Sequence, residues 1–189
     1  KGMFDYWKEM NEIMWESSKP VDMDEADPIV AQNKTLVLAS GSETEYFDTD
    51  SEAWNKAYIC QMGSKWRAIK GSQWIWVREM VSLEEAKTGS QHKFRLKFDL
   101  PVNSPNAIRQ AGILLRSDDS CRISVNNVCL KQEYGGAEYP DPFLIDIGQF
   151  VQAGENTITF ELISYALPDA KDPVDNPSGL IYRLHIEYS

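Results

Sequence analysis

The sequence predicts a mostly-β protein: an antiparallel jelly-roll β-sandwich over residues 35–189, preceded by an N-terminal amphipathic helix and an acidic linker over residues 1–34. Three observations predict it. Apolar and polar residues alternate with period two through residues 92–100 and again through 180–188, as in strands with one buried face. Short apolar runs recur between turn residues along the rest of the chain, the spacing of a sandwich or jelly roll. Helical periodicity is confined to the first residues.

The elements follow in order. Met3, Phe4, Tyr6, Trp7, Met10, Ile13 and Met14 recur at three-to-four spacing, with Asp5, Lys8, Glu9, Asn11 and Glu12 between them. Residues 3–16 therefore read as a helix with a wide apolar stripe, closed off by Pro20. Residues 17–34 form a linker: Ser-Ser-Lys-Pro, an acidic run, then Asp27-Pro28. Residues 35–39 are a first strand, the polar segment 40–53 reads as a loop, and 57–62 and 74–77 are further strands. Within 92–100, Phe94, Leu96, Phe98 and Leu100 point one way while Lys93, Arg95, Lys97 and Asp99 point the other. Pro101 ends that strand. Residues 111–116 are the next strand, followed by a tight turn over 117–120.

Residues 122–125 and 128–130 flank Asn126-Asn127 and form a hairpin. A two-residue turn there pairs Val125 with Val128 and Ser124 with Cys129. Cys121 then faces away from Cys129, unless a bulge reverses the register. A Gly/Pro-rich loop over 135–142 precedes an apolar strand at 143–147. Gly154-Glu155-Asn156 turns into the alternating strand 157–163, and a Pro/Asp-rich loop fills 164–178. The last strand, 180–188, puts Leu180, Tyr182, Leu184, Ile186 and Tyr188 on one face.

Charge bounds the partners. The chain carries a net charge of −10 over 189 residues, and the first 55 hold most of it, with 13 acidic against 4 basic residues. So acidic a chain is a poor binder of nucleic acid, whose phosphates are held by Lys and Arg. No run of about 18 apolar residues is present, so no helix spans a membrane. The first residue is Lys1, which reads as a mature or trimmed N-terminus. Three cysteines, Cys60, Cys121 and Cys129, do not make a disulfide framework, and none has zinc-site spacing.

Several motifs together resemble the galactose-binding-domain-like sandwiches, the jelly-roll modules attached to many glycosidases and surface proteins. Trp74-Ile-Trp-Val precedes a Phe-rich strand ending in Leu-Pro. Ser-Asp-Asp leads to Ile-Ser-Val-Asn-Asn, where that family often has Val-Asn-Gly. Asp146-Ile147 leads to Phe150 and Ala153-Gly-Glu-Asn-Thr-Ile, and Asn176-Pro-Ser-Gly-Leu-Ile-Tyr-Arg-Leu closes the pattern. The likeness covers about residues 35–188. It implies the sandwich fold, an extracellular location and a structural calcium. It does not fix a ligand, because family members bind sugars, proteins or lipids. The helix and acidic segment lie outside it.

The site inventory points away from catalysis. His92 and His185 both lie in strands, and no nucleophile elbow, phosphate loop or H-E-x-x-H occurs. Aromatics for stacking against a sugar ring are Trp66, Trp74, Trp76, Tyr134 and Tyr139, the last two in or beside the Gly/Pro-rich loop. Core packing is the competing role for Trp74 and Trp76, which share one strand face. Asp48, Asp50 and Glu52 offer alternate oxygen ligands for calcium, without the Gly and Glu of an EF-hand: Ala53 and Ile59 stand there.

For assembly, the helix stripe (Phe4, Trp7, Met10, Met14) and its acidic continuation complement a basic face of Lys93, Arg95 and Lys97, with Lys65, Arg67, Lys70 and Arg78 also basic. The arm would dock within one molecule or between copies. The expected function is a non-catalytic structural or surface module of a larger extracellular, filament or virion-type assembly, with glycan-binding ability and protein partners or copies of itself. The alternative is a carbohydrate-binding module accessory to a larger enzyme. Asn33-Lys34-Thr35 is an N-glycosylation sequon.

Overall fold

A computed structural model describes residues 33–60, 66–135 and 141–189. These residues build two antiparallel sheets packed face to face. Numbering strands in chain order, the first sheet runs β10 (Phe143–Asp146), β7 (Ile108–Asp118), β12 (Gly179–Tyr188), β5 (Ile75–Trp76), β4 (Tyr58–Ile59), and β1 (Lys34–Ala39) also pairs with β12. The second runs β3 (Ala53–Lys56), β2 (Glu45–Asp48), β6 (Ser90–Leu100), β11 (Gly154–Ser164), β8 (Ser120–Val125), β9 (Val128–Gly135). The expected helix over residues 3–16 lies outside the described residues.

The alternation read from the sequence is what closes the core. Phe94, Leu96 and Leu100 of β6 and Ile158, Phe160 and Leu162 of β11 face Leu180, Tyr182, Leu184 and Ile186 of β12, all buried in one cluster. Phe160 and Tyr182 stack across the sheets at 4.6 Å. The Tyr182 hydroxyl would be costly to bury alone; it shares a 2.7 Å hydrogen bond with the Thr44 hydroxyl.

The hairpin follows the expected register, with Val125 opposite Val128 and Ser124 opposite Cys129. Asn126 and Asn127 take positive φ (49° and 67°), the conformation a type I′ turn needs. An irregularity follows: from Ser124↔Cys129 to Arg122↔Glu133, β8 advances two residues and β9 four. The excess is even, so faces are preserved. Cys121 is buried, Cys129 is exposed, and all three cysteines are free thiols.

Three expectations need correction. The segment 40–53 contains β2 and the start of β3, held by the edge-on Phe47–Trp54 pair and the Glu45–Arg95 ion pair. Its polarity reflects its place beside the sheet edge, which β3 forms, where outward residues meet water. Between β5 and β6 lies a short helix, α1 (Leu83–Thr88), whose N-cap Ser82 accepts the Glu85 N–H. Residues 117–120 do not form a turn within one sheet. There the chain steps from β7 to β8 in the other sheet, and Asp119 accepts the Tyr165 N–H at 2.6 Å.

Candidate functional site

The outer face of the first sheet is covered at one end. Ile181 of β12 points away from the main core yet has no exposure, because Trp74 and Ile69 pack over it with Trp66, Leu114 and Cys60 around them. The chain over 66–74 is fastened there by hydrogen bonds. Ser72 N–H closes a turn onto Ile69 O, Gln73 N–H bonds Ser40 O, and Cys60 N–H bonds Trp74 O. The Ser40 hydroxyl donates to Gln73 O at 2.7 Å and Arg183 Nη1 to Lys70 O at 2.6 Å. Gly71 supplies the positive φ (77°) the turn requires.

This fastening makes an aromatic shelf. The half-buried Trp66 ring meets Trp74 edge-on, centroids 4.5 Å apart. Trp74 is buried, and its indole N–H has no hydrogen-bond partner; the Ser72 hydroxyl is also buried and unpartnered. Such groups are rare because each forfeits its hydration. Two arginines of the described residues lie nearby. Arg116 of β7 sits opposite Ile181 and is 4% exposed, whereas Arg67 is exposed. Burial and the Arg67 charge hold the Arg116 pKa below its usual value, and Asp141 opposes them.

The other predicted aromatics lie elsewhere. Trp76 is fully buried in the main core, against Phe94 and His92, so it presents no face to a ligand. It does not share a face with Trp74, which packs in the outer cluster. Its indole N–H donates to Glu85 Oε1 at 3.1 Å. The same oxygen accepts the Ser90 hydroxyl at 2.8 Å and lies 2.9 Å from His92 Nε2. Burial would raise the Glu85 pKa, but His92, Ser90 and Trp76 outweigh it and bring it to about 2. Tyr134 is buried edge-on against Phe143. Tyr139 lies outside the described residues. Of the five aromatics, the structure brings together Trp66 and Trp74.

The calcium ligands do not converge. Asp48 closes the β2–β3 turn instead, accepting the Asp50 N–H at 3.0 Å and the Ser51 hydroxyl at 2.7 Å. Among the described residues no group of three or more His, Cys, Asp or Glu is placed to hold a metal ion. The basic face of β6 is largely neutralised by its own sheet. Lys93 pairs with Glu161 at 2.9 Å and Arg95 with Glu45 at 2.7 Å, the Arg95 guanidinium lying 4.0 Å from the Trp54 ring centre. Lys97 is exposed. Phe4, Trp7, Met10 and Met14 lie outside the described residues.

Sequence reasoning missed Ser72 and Arg116. Nothing local marks Ser72. Arg116 carried a signal, a charge inside an apolar run, but its neighbours come from other segments.

No family model matches the chain, and no curated protein matches it. Solved structures do, in outline. A β-glucuronidase of an uncultured Clostridium species matches with a TM-score of 0.47 and 11% identity, over 88% of this chain and 31% of its own. A putative β-galactosidase from Bacteroides fragilis matches with a TM-score of 0.45 and 16% identity, over 80% and 23%. An α-L-rhamnosidase of Streptomyces avermitilis, complexed with L-rhamnose, matches with a TM-score of 0.45 and 22% identity, over 66% and 11%. The chain is a β-sandwich module resembling part of larger sugar hydrolases. It spans less than a third of each of these three chains, and the likeness is one of fold alone. No helix among the described residues is long and apolar enough to cross a membrane.

Proposed function

We propose that this chain is a non-catalytic carbohydrate-binding module, an extracellular accessory domain of a larger protein, which seats a sugar ring on the Trp66–Trp74 shelf. The sandwich, residues 35–189, is the binding unit, and residues 1–34 are a separate arm. The observation that carries the reading is the partly exposed Trp66 ring, held edge-on against the buried Trp74. A pyranose supplies what the Trp66 ring lacks, C–H groups to stack on its aromatic face. The histidines favour a non-catalytic role, since His92 is committed to Glu85 inside the fold and His185 is buried on β12.

A glycan array followed by calorimetric titration tests this. The native chain should bind a defined oligosaccharide, and Trp66→Ala should weaken binding about tenfold or more with the circular dichroism unchanged, since an aromatic platform contributes at least 1.4 kcal/mol. Binding that survives Trp66→Ala places the site elsewhere. The filament or particle-surface reading rests on the arm, and deletion of residues 1–34 with light scattering is its test.

A further inference from the structure

The loop between β11 and β12 is fixed in place yet turns apolar side chains to water. Its backbone is tied at several points. Leu167 N–H bonds Ala86 O of α1 at 3.0 Å, Ala170 N–H bonds Leu167 O at 2.9 Å, and Asp172 and Asp175 form a capping box around Pro173–Asp175. Gly89, at the end of α1, lets the loop lie close: a Cβ there would sit 2.6 Å from Ser164 O and 2.9 Å from Ala166 N. Even so, Tyr165 is 58% exposed, Leu167 40% and Val174 64%. Single exposed apolar residues are ordinary; Tyr165 differs in what holds it. Its N–H donates to the Asp119 carboxylate at 2.6 Å, and its carbonyl accepts from Asn176 Nδ2 at 2.8 Å. Asp119 is itself fixed where the chain crosses between the sheets, its own N–H bonded to Ile163 O at 3.2 Å and its carbonyl packed against Gly135. Asn176 Nδ2 gives its second hydrogen to Ala86 O. Both amide hydrogens go to carbonyls, which orients the Asn176 amide and leaves its Oδ1 as an acceptor. A carboxylate accepts at about four lone-pair sites, so Asp119 retains capacity beyond the Tyr165 N–H.

A hexose ring meets each part of this arrangement. Its C–H face stacks on the phenol ring, and its hydroxyls donate to carboxylate and amide oxygens. The backbone that carries these groups is already held, so a ligand pays little ordering entropy. Resting on the glycan-binding reading, we propose that Tyr165, Asp119 and Asn176 form a second sugar site, built from none of the residues of the Trp66 shelf, that takes a neutral hexose. The ring lies on Tyr165, and Asp119 and Asn176 Oδ1 accept its hydroxyls. The preference for a neutral ring follows from charge. A uronic acid would bring its carboxylate beside Asp119. The loop adds Asp169, Asp172 and Asp175 against one cation, Lys171, and the net charge of −10 opposes an anion at long range. A single phenol ring is a smaller platform than the Trp66 indole, so this site is the weaker of the two and gives a second point of attachment to a polymeric glycan.

The test follows amide and indole resonances of the isotope-labelled full chain. The methyl glycosides of glucose, galactose and mannose are titrated in, with those of glucuronic acid and glucosamine as charged counterparts. The Tyr165 amide, bonded to Asp119, reports this site, and the Trp66 indole N–H reports the shelf. At least one neutral hexoside should shift the Tyr165 amide saturably, and the glucuronide should need a concentration at least about tenfold higher, the effect of one like-charge contact. Tyr165→Ala, read on the neighbouring Ala166 amide, should abolish that response and leave the Trp66 indole responsive. Asp119→Asn keeps an acceptor for the Tyr165 N–H and should narrow the gap between hexoside and glucuronide. Equal binding of the glucuronide, or tighter binding of the glucosaminide, overturns the neutral preference. A response that survives Tyr165→Ala overturns the site. A Tyr165 amide unmoved at concentrations that saturate the Trp66 indole sinks this inference alone. Movement at Tyr165 with none at Trp66 keeps this site and overturns the shelf, and no movement at either overturns both.

Discussion

Glu85 is ionised inside the fold because three donors converge on one of its oxygens, which ties α1 to β5 and β6. Its pKa of about 2 in the folded chain lies below the ordinary 4.5, so the unfolded chain takes up the proton first. The stability it contributes is whole above about pH 4.5 and is lost as pH falls from there toward 2. Urea midpoints measured between pH 6 and pH 2.5 should fall, and the fall should be shallower in Glu85→Gln. Glu85→Ala orphans the Trp76 N–H and should cost about 3 kcal/mol at pH 7, in the range for breaking a buried charged network. An unchanged midpoint would assign that energy elsewhere. The thiols give a second residue-scale expectation. Cys60 is pushed to about 12 by burial, and Cys121 is raised further by burial and by the Glu161 charge, whereas Cys129 is exposed. A thiol reagent should modify one cysteine per native chain quickly and three after unfolding; two fast thiols would contradict the placement of Cys60 or Cys121.

Strands are legible where one face meets the core and the other meets water. Residues 92–100 and 180–188 have that contrast, and the structure extends the first to Ser90–Leu100. β2 lacks it: Glu45, Tyr46, Phe47 and Asp48 are all half-buried between the edge strand β3 and β6, so period two has nothing to register. α1 is six residues long, too short for helical periodicity, and its local signs are end signals only: the Ser82 cap, Glu84 and Glu85 in the first turn, and Gly89 after the last. The end of β9 shows a constraint no pattern carries. A methyl group on Gly135 would lie 2.0 Å from the Asp119 carbonyl oxygen, where β8 leaves the crossing between sheets. Gly135→Ala must therefore separate two backbones. It should cost about 3 kcal/mol, the upper range for overpacking, and lower the thermal midpoint by roughly 6–12 °C for a chain of this size. A midpoint within 2 °C of native, about the effect of 0.5 kcal/mol, would mean that β9 is not held against Asp119.

At the scale of the whole molecule, the sandwich was readable and the shelf was not, for the same physical reason. A core announces itself through many residues repeating one pattern. The shelf is assembled from residues 66–74, β7 and β12, three segments far apart in sequence, and Trp66 and Ser72 lie in a loop with no period. The two ends of the sandwich are fastened within it. Both partners of its outermost pairing, Lys34↔Tyr188, belong to it, and Ser189 N–H is satisfied by Ala107 O. A chain beginning at Asn33 should thus unfold in one cooperative transition. Its midpoint should lie within about 3 °C of the full chain, the shift that about 1 kcal/mol produces at this size. It should also keep the ligand affinity of the full chain, because every shelf residue is retained. A drop of ten degrees or more would show that residues 1–32 complete the core. A preserved midpoint with lost binding would place part of the site in the arm.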